Sequence, residues 1–166
     1  MERKTKVHAE EGKQELLITR EFDLPVELLF KAHVEPEIFE QWMSHEYGTT
    51  KVTQFEAKKH GSWRFQTTDA VGNVLFAANG VFHELVPNQR IVRTFEAGNA
   101  EDSPLDVQLE FLDFEQLNDS TSKLTMQSIF RSVALRDQLL RQPFEYGLNM
   151  AHNRLQERLG GSMPRR

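Results

Sequence analysis

The run from Pro143 to Leu159 (PFEYGLNMAHNRLQERL) constrains this chain most. At about 100° per residue, Phe144, Leu148, Leu155 and Leu159 fall on one stripe, with Ala151 near its centre and Gly147 on its flank. Pro143 suits a first helical turn, where a missing N–H costs nothing, and Gly160–Gly161 ends the helix by taking the left-handed conformation. At 1.5 Å per residue the rod is about 25 Å long. A rod of that length needs a broad apolar partner, and most of the preceding chain reads as strands. The expectation is a sheet that curves around this helix.

Residues 1–14 are charged and are expected to fray. Leu16–Phe22 reads as a first strand. Asp23 is placed to accept from the free N–H groups of a helix start, and Pro25 opens a helix reaching Val34. Pro36 opens a second, with Ile38, Phe39, Trp42 and Met43 at helical spacing. Strands then follow at Lys51–Phe55, Gly61–Thr68, Val74–Leu85, Arg90–Glu96, Leu105–Phe111 and Lys123–Phe130. Gly80 predicts a bulge within its strand. In Leu105–Phe111 the residues Leu105, Val107, Leu109 and Phe111 read as the core face, and Asp106, Gln108 and Glu110 as the solvent face. Val133–Leu140 is a short helix leading into the long one. With no crossover helix between strands, neighbours are expected to be antiparallel. The class is therefore α+β: a curved antiparallel sheet of about seven strands, two short helices after the first strand, and a long C-terminal helix. One domain is expected over 15–160, with a flexible tail over 161–166.

Charge and composition exclude several functions. The net charge of −5 argues against a nucleic-acid partner, which needs a basic surface. The absence of cysteine rules out disulfides, thiolate metal sites and a cysteine nucleophile. The charged N-terminus does not read as a signal peptide, and no run reaches 18 apolar residues, so the expected location is the cytoplasm with no membrane insertion. His45-Glu46 lacks a second histidine at helical spacing, and the histidines show no ligand pattern. No phosphate loop or nucleophile elbow is present. Neither cofactor nor metal is expected.

Four local patterns carry a family resemblance. They are Phe30-Lys-Ala32-His33 with Glu35-Pro36-Glu37 and Trp42; Gly61-Ser-Trp63-Arg-Phe65; Gly80-Val-Phe82-His-Glu84-Leu85-Val-Pro87 with Arg90-Ile91-Val92; and Lys123-Leu124-Thr125-Met126. In their order and spacing the chain resembles the START/polyketide-cyclase-like superfamily. Within it, the chain is similar to the bacterial branch related to the activator of the ninety-kilodalton heat-shock protein ATPase. The resemblance implies the helix-grip fold and a ligand cavity between the last helix and the sheet. It also exposes a departure. Relatives usually carry tryptophan after the glycine of the last helix, whereas Leu148 follows Gly147 here. Either the pocket differs at that end, or Tyr146 or Phe144 takes the space.

On this reading Trp63, Phe65, Phe76, Phe82 and Phe95 are candidate cavity walls, with Met126 as adaptable lining. Gly147 and Ala151 leave room beside Leu148. Ser128, Thr67 and His152 are candidate inward polar groups, satisfied either by a ligand or by the protein itself. Glu84 is placed to pair with Arg90 across a hairpin. Tyr146 and Met150 lie opposite the main helix face, as surface residues or as a homodimer or partner contact. Three functions stay open: a binding module for a small hydrophobic ligand without chemistry, a cyclase or dehydratase using the same pocket, and a chaperone-activator-like partner protein.

Overall fold

A computed structural model describes residues 3–98 and 107–160. The expected loop after Gly98, the residues Leu105 and Asp106, and the 161–166 tail lie outside the described residues. Eight strands and four helices follow in the order β1 (Lys6–His8), β2 (Glu15–Phe22), α1 (Val26–Val34), α2 (Pro36–Met43), β3 (Thr49–Phe55), β4 (Ser62–Thr68), β5 (Val74–Val86), β6 (Arg90–Ala97), β7 (Val107–Gln116), β8 (Ser122–Ile129), α3 (Val133–Leu140) and α4 (Phe144–Gly160). The strands form one sheet in the order β1-β2-β8-β7-β6-β5-β4-β3, with every neighbour antiparallel. The run β3 to β8 is a meander of hairpins, and β2 joins it beside β8. The helix-grip arrangement follows, with the sheet curved and α4 packed on it.

Alternation places one row of each strand inward. Leu16, Ile18 and Phe22 of β2, Leu124 and Met126 of β8, Leu112 and Phe114 of β7, Ile91 of β6, Phe82 of β5, and Trp63 and Phe65 of β4 are all buried. The short helices add Leu29, Phe30, Phe39 and Trp42, and α4 adds Ala151, Leu155 and Leu159. The Trp42 indole N–H donates to the Ala32 carbonyl at 2.9 Å, and Arg154 Nε donates to the Trp42 carbonyl at 2.9 Å. These two bonds tie α1, α2 and α4 into one layer. No described helix is long and apolar enough to cross a membrane.

Several local expectations change. The segment expected to fray contributes β1, which pairs with β2 from Lys6↔Thr19 to His8↔Leu17. Asp23 does not cap α1. The Val26 N–H goes to Gln116 Oε1 at 2.8 Å, and Asp23 donates its own N–H to Gln156 Oε1 at 2.7 Å. Gly80 makes no bulge, since Trp63↔Gly80 and Ser62↔Val81 are consecutive pairs. The shift in β5–β6 register falls instead between Phe82 and Glu84. Gly80 is needed for close approach: a Cβ there would lie 2.0 Å from the Thr94 carbonyl oxygen and 2.6 Å from the Trp63 ring.

The largest correction concerns β7. Val107 and Leu109 lie on the outer face, 39% and 37% exposed, while Glu110 is buried at 5%. The cause is parity. Leu112 and Phe114 must face the core, and the pairing of β7 with both neighbours runs without a bulge, so all even positions point inward.

Candidate functional site

Glu110 reaches the interior with its partners already opposite it. Arg93 is its direct partner on β6 and Ser128 its direct partner on β8. Arg93 Nε donates to Glu110 Oε1 at 2.9 Å, and the Ser128 hydroxyl donates to Glu110 Oε2 at 3.1 Å. A carboxylate buried in a sheet is tolerated only when paired and hydrogen-bonded in this way. The guanidinium also lies over aromatic faces, with its Cζ 5.5 Å from the Trp63 ring and 5.7 Å from the Phe95 ring. Trp63 in turn stacks on Phe65 at 5.8 Å and meets Phe95 at 5.3 Å. Its indole Nε1 is buried and has no hydrogen-bond partner, and it is the one such side-chain atom among the described residues. An unsatisfied donor of this kind costs about 1–3 kcal/mol of desolvation.

A cleft of about 230 Å³ is lined by Phe76, Ala97, Val107, Gln108, Phe130 and Arg131 from the sheet side, and by Leu135, Gln138, Leu139 and Gln142 from α3 and the turn after it. α3 starts with Ser132 accepting the Leu135 N–H at 3.1 Å, which fixes the helix against the strand end. Arg136, buried at 3%, then donates to the Glu10 and Glu15 carbonyls at 2.6 and 3.2 Å. The outer wall of the cleft is therefore pinned from behind. A second, shallower hollow lies between α2 and β3.

The expected wall residues are dispersed relative to this cleft. Phe76, 40% exposed, lines it. Phe65 touches Phe76 at a centroid distance of 5.9 Å, and Phe95 is the register partner of Gln108. Trp63 stands one ring further in, while Phe82, Met126 and Ala151 are packed in the core. Leu148 and Phe144 are half-buried against that core, whereas Tyr146 is 68% exposed. Gly147 is exposed, and a Cβ there would meet nothing within 4 Å. The salt bridge expected across the hairpin forms, with Arg90 to Glu84 at 3.6 Å.

The other inward polar groups are satisfied by the protein. The Thr67 hydroxyl is 2.6 Å from that of Thr50. His152 Nδ1 lies 2.6 Å from Thr5 Oγ1, and Arg20 Nη1 is 3.4 Å from the same oxygen. Burial, together with His33 and Arg20 nearby, holds His152 well below its ordinary pKa. His33 lies 2.8 Å from the Leu29 carbonyl through Nδ1, so that nitrogen donates. Burial lowers its pKa to about 4, against the opposing effect of that hydrogen bond. Both imidazoles are neutral at pH 7. Among the described residues no group of three or more His, Asp or Glu side chains comes together to hold a metal.

Sequence reasoning missed Arg93, Glu110 and the α3 wall. The first two carried a signal, since Leu112 and Phe114 share the parity of Glu110. The α3 wall carried none, because its residues meet the sheet only in three dimensions.

Solved structures place the architecture among known proteins. Protein Ms6760 from Mycobacterium smegmatis superposes with a TM-score of 0.83 at 18% identity, covering 97% of this chain and 99% of that one. A Rhodobacter sphaeroides protein gives 0.83 at 18% identity over 95% and 99%. A Staphylococcus epidermidis protein gives 0.78 at 22% identity over 95% and 96%. Comparison by sequence with curated proteins finds no match. The family described as "Activator of Hsp90 ATPase homolog 1-like protein" matches residues 23–160, from the start of α1 through the end of α4. The chain belongs to that family.

Proposed function

We propose that this protein binds a small apolar or aromatic molecule in the cleft between α3 and the inward ends of β5 to β8. The observation that carries this reading is an open, mostly apolar cleft between α3 and the strand ends, with Phe76, Val107, Phe130, Leu135 and Leu139 in its walls. Its volume of about 230 Å³ lies below the range of about 300–1,000 Å³ typical for drug-sized ligands, so one ring with short substituents fits. Binding without chemistry is favoured over catalysis because the interior titratable groups are committed. Glu110 is held by Arg93 and Ser128, and the two buried histidines are hydrogen-bonded and neutral.

The test uses N-phenyl-1-naphthylamine, an uncharged dye that brightens in apolar surroundings. The wild type should bind it saturably. Leu139→Trp, which places a large ring in the cleft from a half-buried position, should abolish the signal while the melting temperature stays close to wild type. Undiminished binding by a folded Leu139→Trp variant, or no saturable binding by the wild type, would refute the reading.

A further inference from the structure

We propose that the ligand of the cleft is an acid: an aromatic or apolar body carrying a carboxylate, which the Arg131 guanidinium receives at the rim. This rests on the cleft being the ligand site and adds the charge that the ligand must bring.

The wall of the cleft carries charge of one sign. Leu135, Gln138, Leu139 and Gln142 follow helical spacing, so they form one stripe of α3 and the turn after it. Arg131 lies four residues before Leu135 and continues that wall where β8 hands over to α3. It is the one charged residue among the described lining residues. The polar remainder, Gln108, Gln138 and Gln142, are amides, which donate as well as accept.

That charge has not been claimed within the fold. Among the described residues the Arg131 side chain makes no ion pair and no hydrogen bond, and its backbone carbonyl accepts from Gln14 Nε2 at 2.9 Å. Nearby acids are committed elsewhere. Asp137 of α3 is held by Arg136 at 2.8 Å, and Glu15, opposite Ile129 at the end of β8, accepts from Gln127 at 2.9 Å. Arg131 is exposed, so a carboxylate that meets it keeps part of its hydration and escapes the cost of full burial, while the ring it carries enters the apolar walls. The planar guanidinium matches a carboxylate in a two-bond fork. The whole chain carries a net charge of −5, so its overall field favours cations. A preference for an acid must therefore come from this wall.

The experiment is an NMR titration of the full chain at low salt and neutral pH with three one-ring probes of similar size: phenylacetate, phenylacetamide and phenethylamine. Phenylacetate should bind about fivefold tighter than phenylacetamide, the scale of a contact with an exposed charge, and phenethylamine should bind weakest. Added salt should erase the advantage of the acid. Arg131→Gln should bring phenylacetate level with phenylacetamide and leave phenylacetamide binding unchanged. Arg141→Gln, which removes an exposed arginine outside the lining, should keep the wild-type order. The inference is overturned if phenylacetate binds no tighter than either analogue, if Arg131→Gln weakens acid and amide equally, or if Arg141→Gln acts as Arg131→Gln does. In each of these cases, saturable N-phenyl-1-naphthylamine binding that a folded Leu139→Trp variant loses keeps the cleft reading standing. A wild type that does not bind the dye removes both.

Discussion

Removing Arg93 would leave Glu110 a buried carboxylate with the Ser128 hydroxyl but without its counter-ion. Arg93→Met should cost about 3–5 kcal/mol, because the remaining charge keeps its desolvation penalty without its partner. The double replacement Arg93→Met with Glu110→Leu should cost less than Arg93→Met alone, and a double-mutant cycle from urea unfolding reads the difference directly. Gly80 is the other sensitive position. Gly80→Ala sets a methyl 2.0 Å from a backbone oxygen that cannot turn aside, so a loss of about 3 kcal/mol or more is expected in thermal melts. At this scale the sequence is a partial guide. The aromatic residues of β4 announce themselves as core. Glu110 does not announce itself as buried, because its apolar neighbours Val107 and Leu109 create a false inward face. The parity is settled only by Leu112 and Phe114 further along, and by a register that single residues cannot report.

Among the elements, β1 has the weakest claim to exist by itself. Three residues on a sheet edge cannot hold a strand in water. What holds it is polar: the Thr5 N–H donates to Asn149 Oδ1 at 2.8 Å, and its hydroxyl serves His152. Thr5→Val removes the hydroxyl and leaves the buried His152 Nδ1 without that partner, which should cost about 1–3 kcal/mol. Hydrogen exchange should show fast exchange at Val7 and neighbouring β1 amides while β7 and β8 stay protected. The major elements were legible because their periods are clean: Pro36 starts α2, alternation marks β4 and β8, and a helical stripe marks α4. The charged residues of 1–14 hid β1, since its anchoring contacts come from a helix far along the chain. The cleft was hidden for the same reason, being made by α3 against strand ends.

The molecule as a whole should lose stability in mild acid. His33 has a folded pKa of about 4 against an ordinary 6.5, so between those values the unfolded chain binds more protons than the folded one. Stability contributed by the neutral ring is complete above pH 6.5 and is lost as pH falls toward 4. For His33 alone the loss is about 3 kcal/mol, and His152, shifted in the same direction, adds to it. Urea midpoints measured from pH 7.5 to 4.5 should fall steadily, and His33→Gln should flatten part of that slope.

The pairing of β2 with β8, from Glu15↔Ile129 to Phe22↔Ser122, sets a schedule for assembly. Each hairpin from β3 to β8 can close soon after its strands exist, because its partners are neighbours in sequence. The seam between β2 and β8 must instead bridge 100 to 114 residues of sequence. During synthesis the edge of β2 that faces β8 therefore stays unpaired until β8 has emerged, and slow folding limited by that long-range step is the expected consequence.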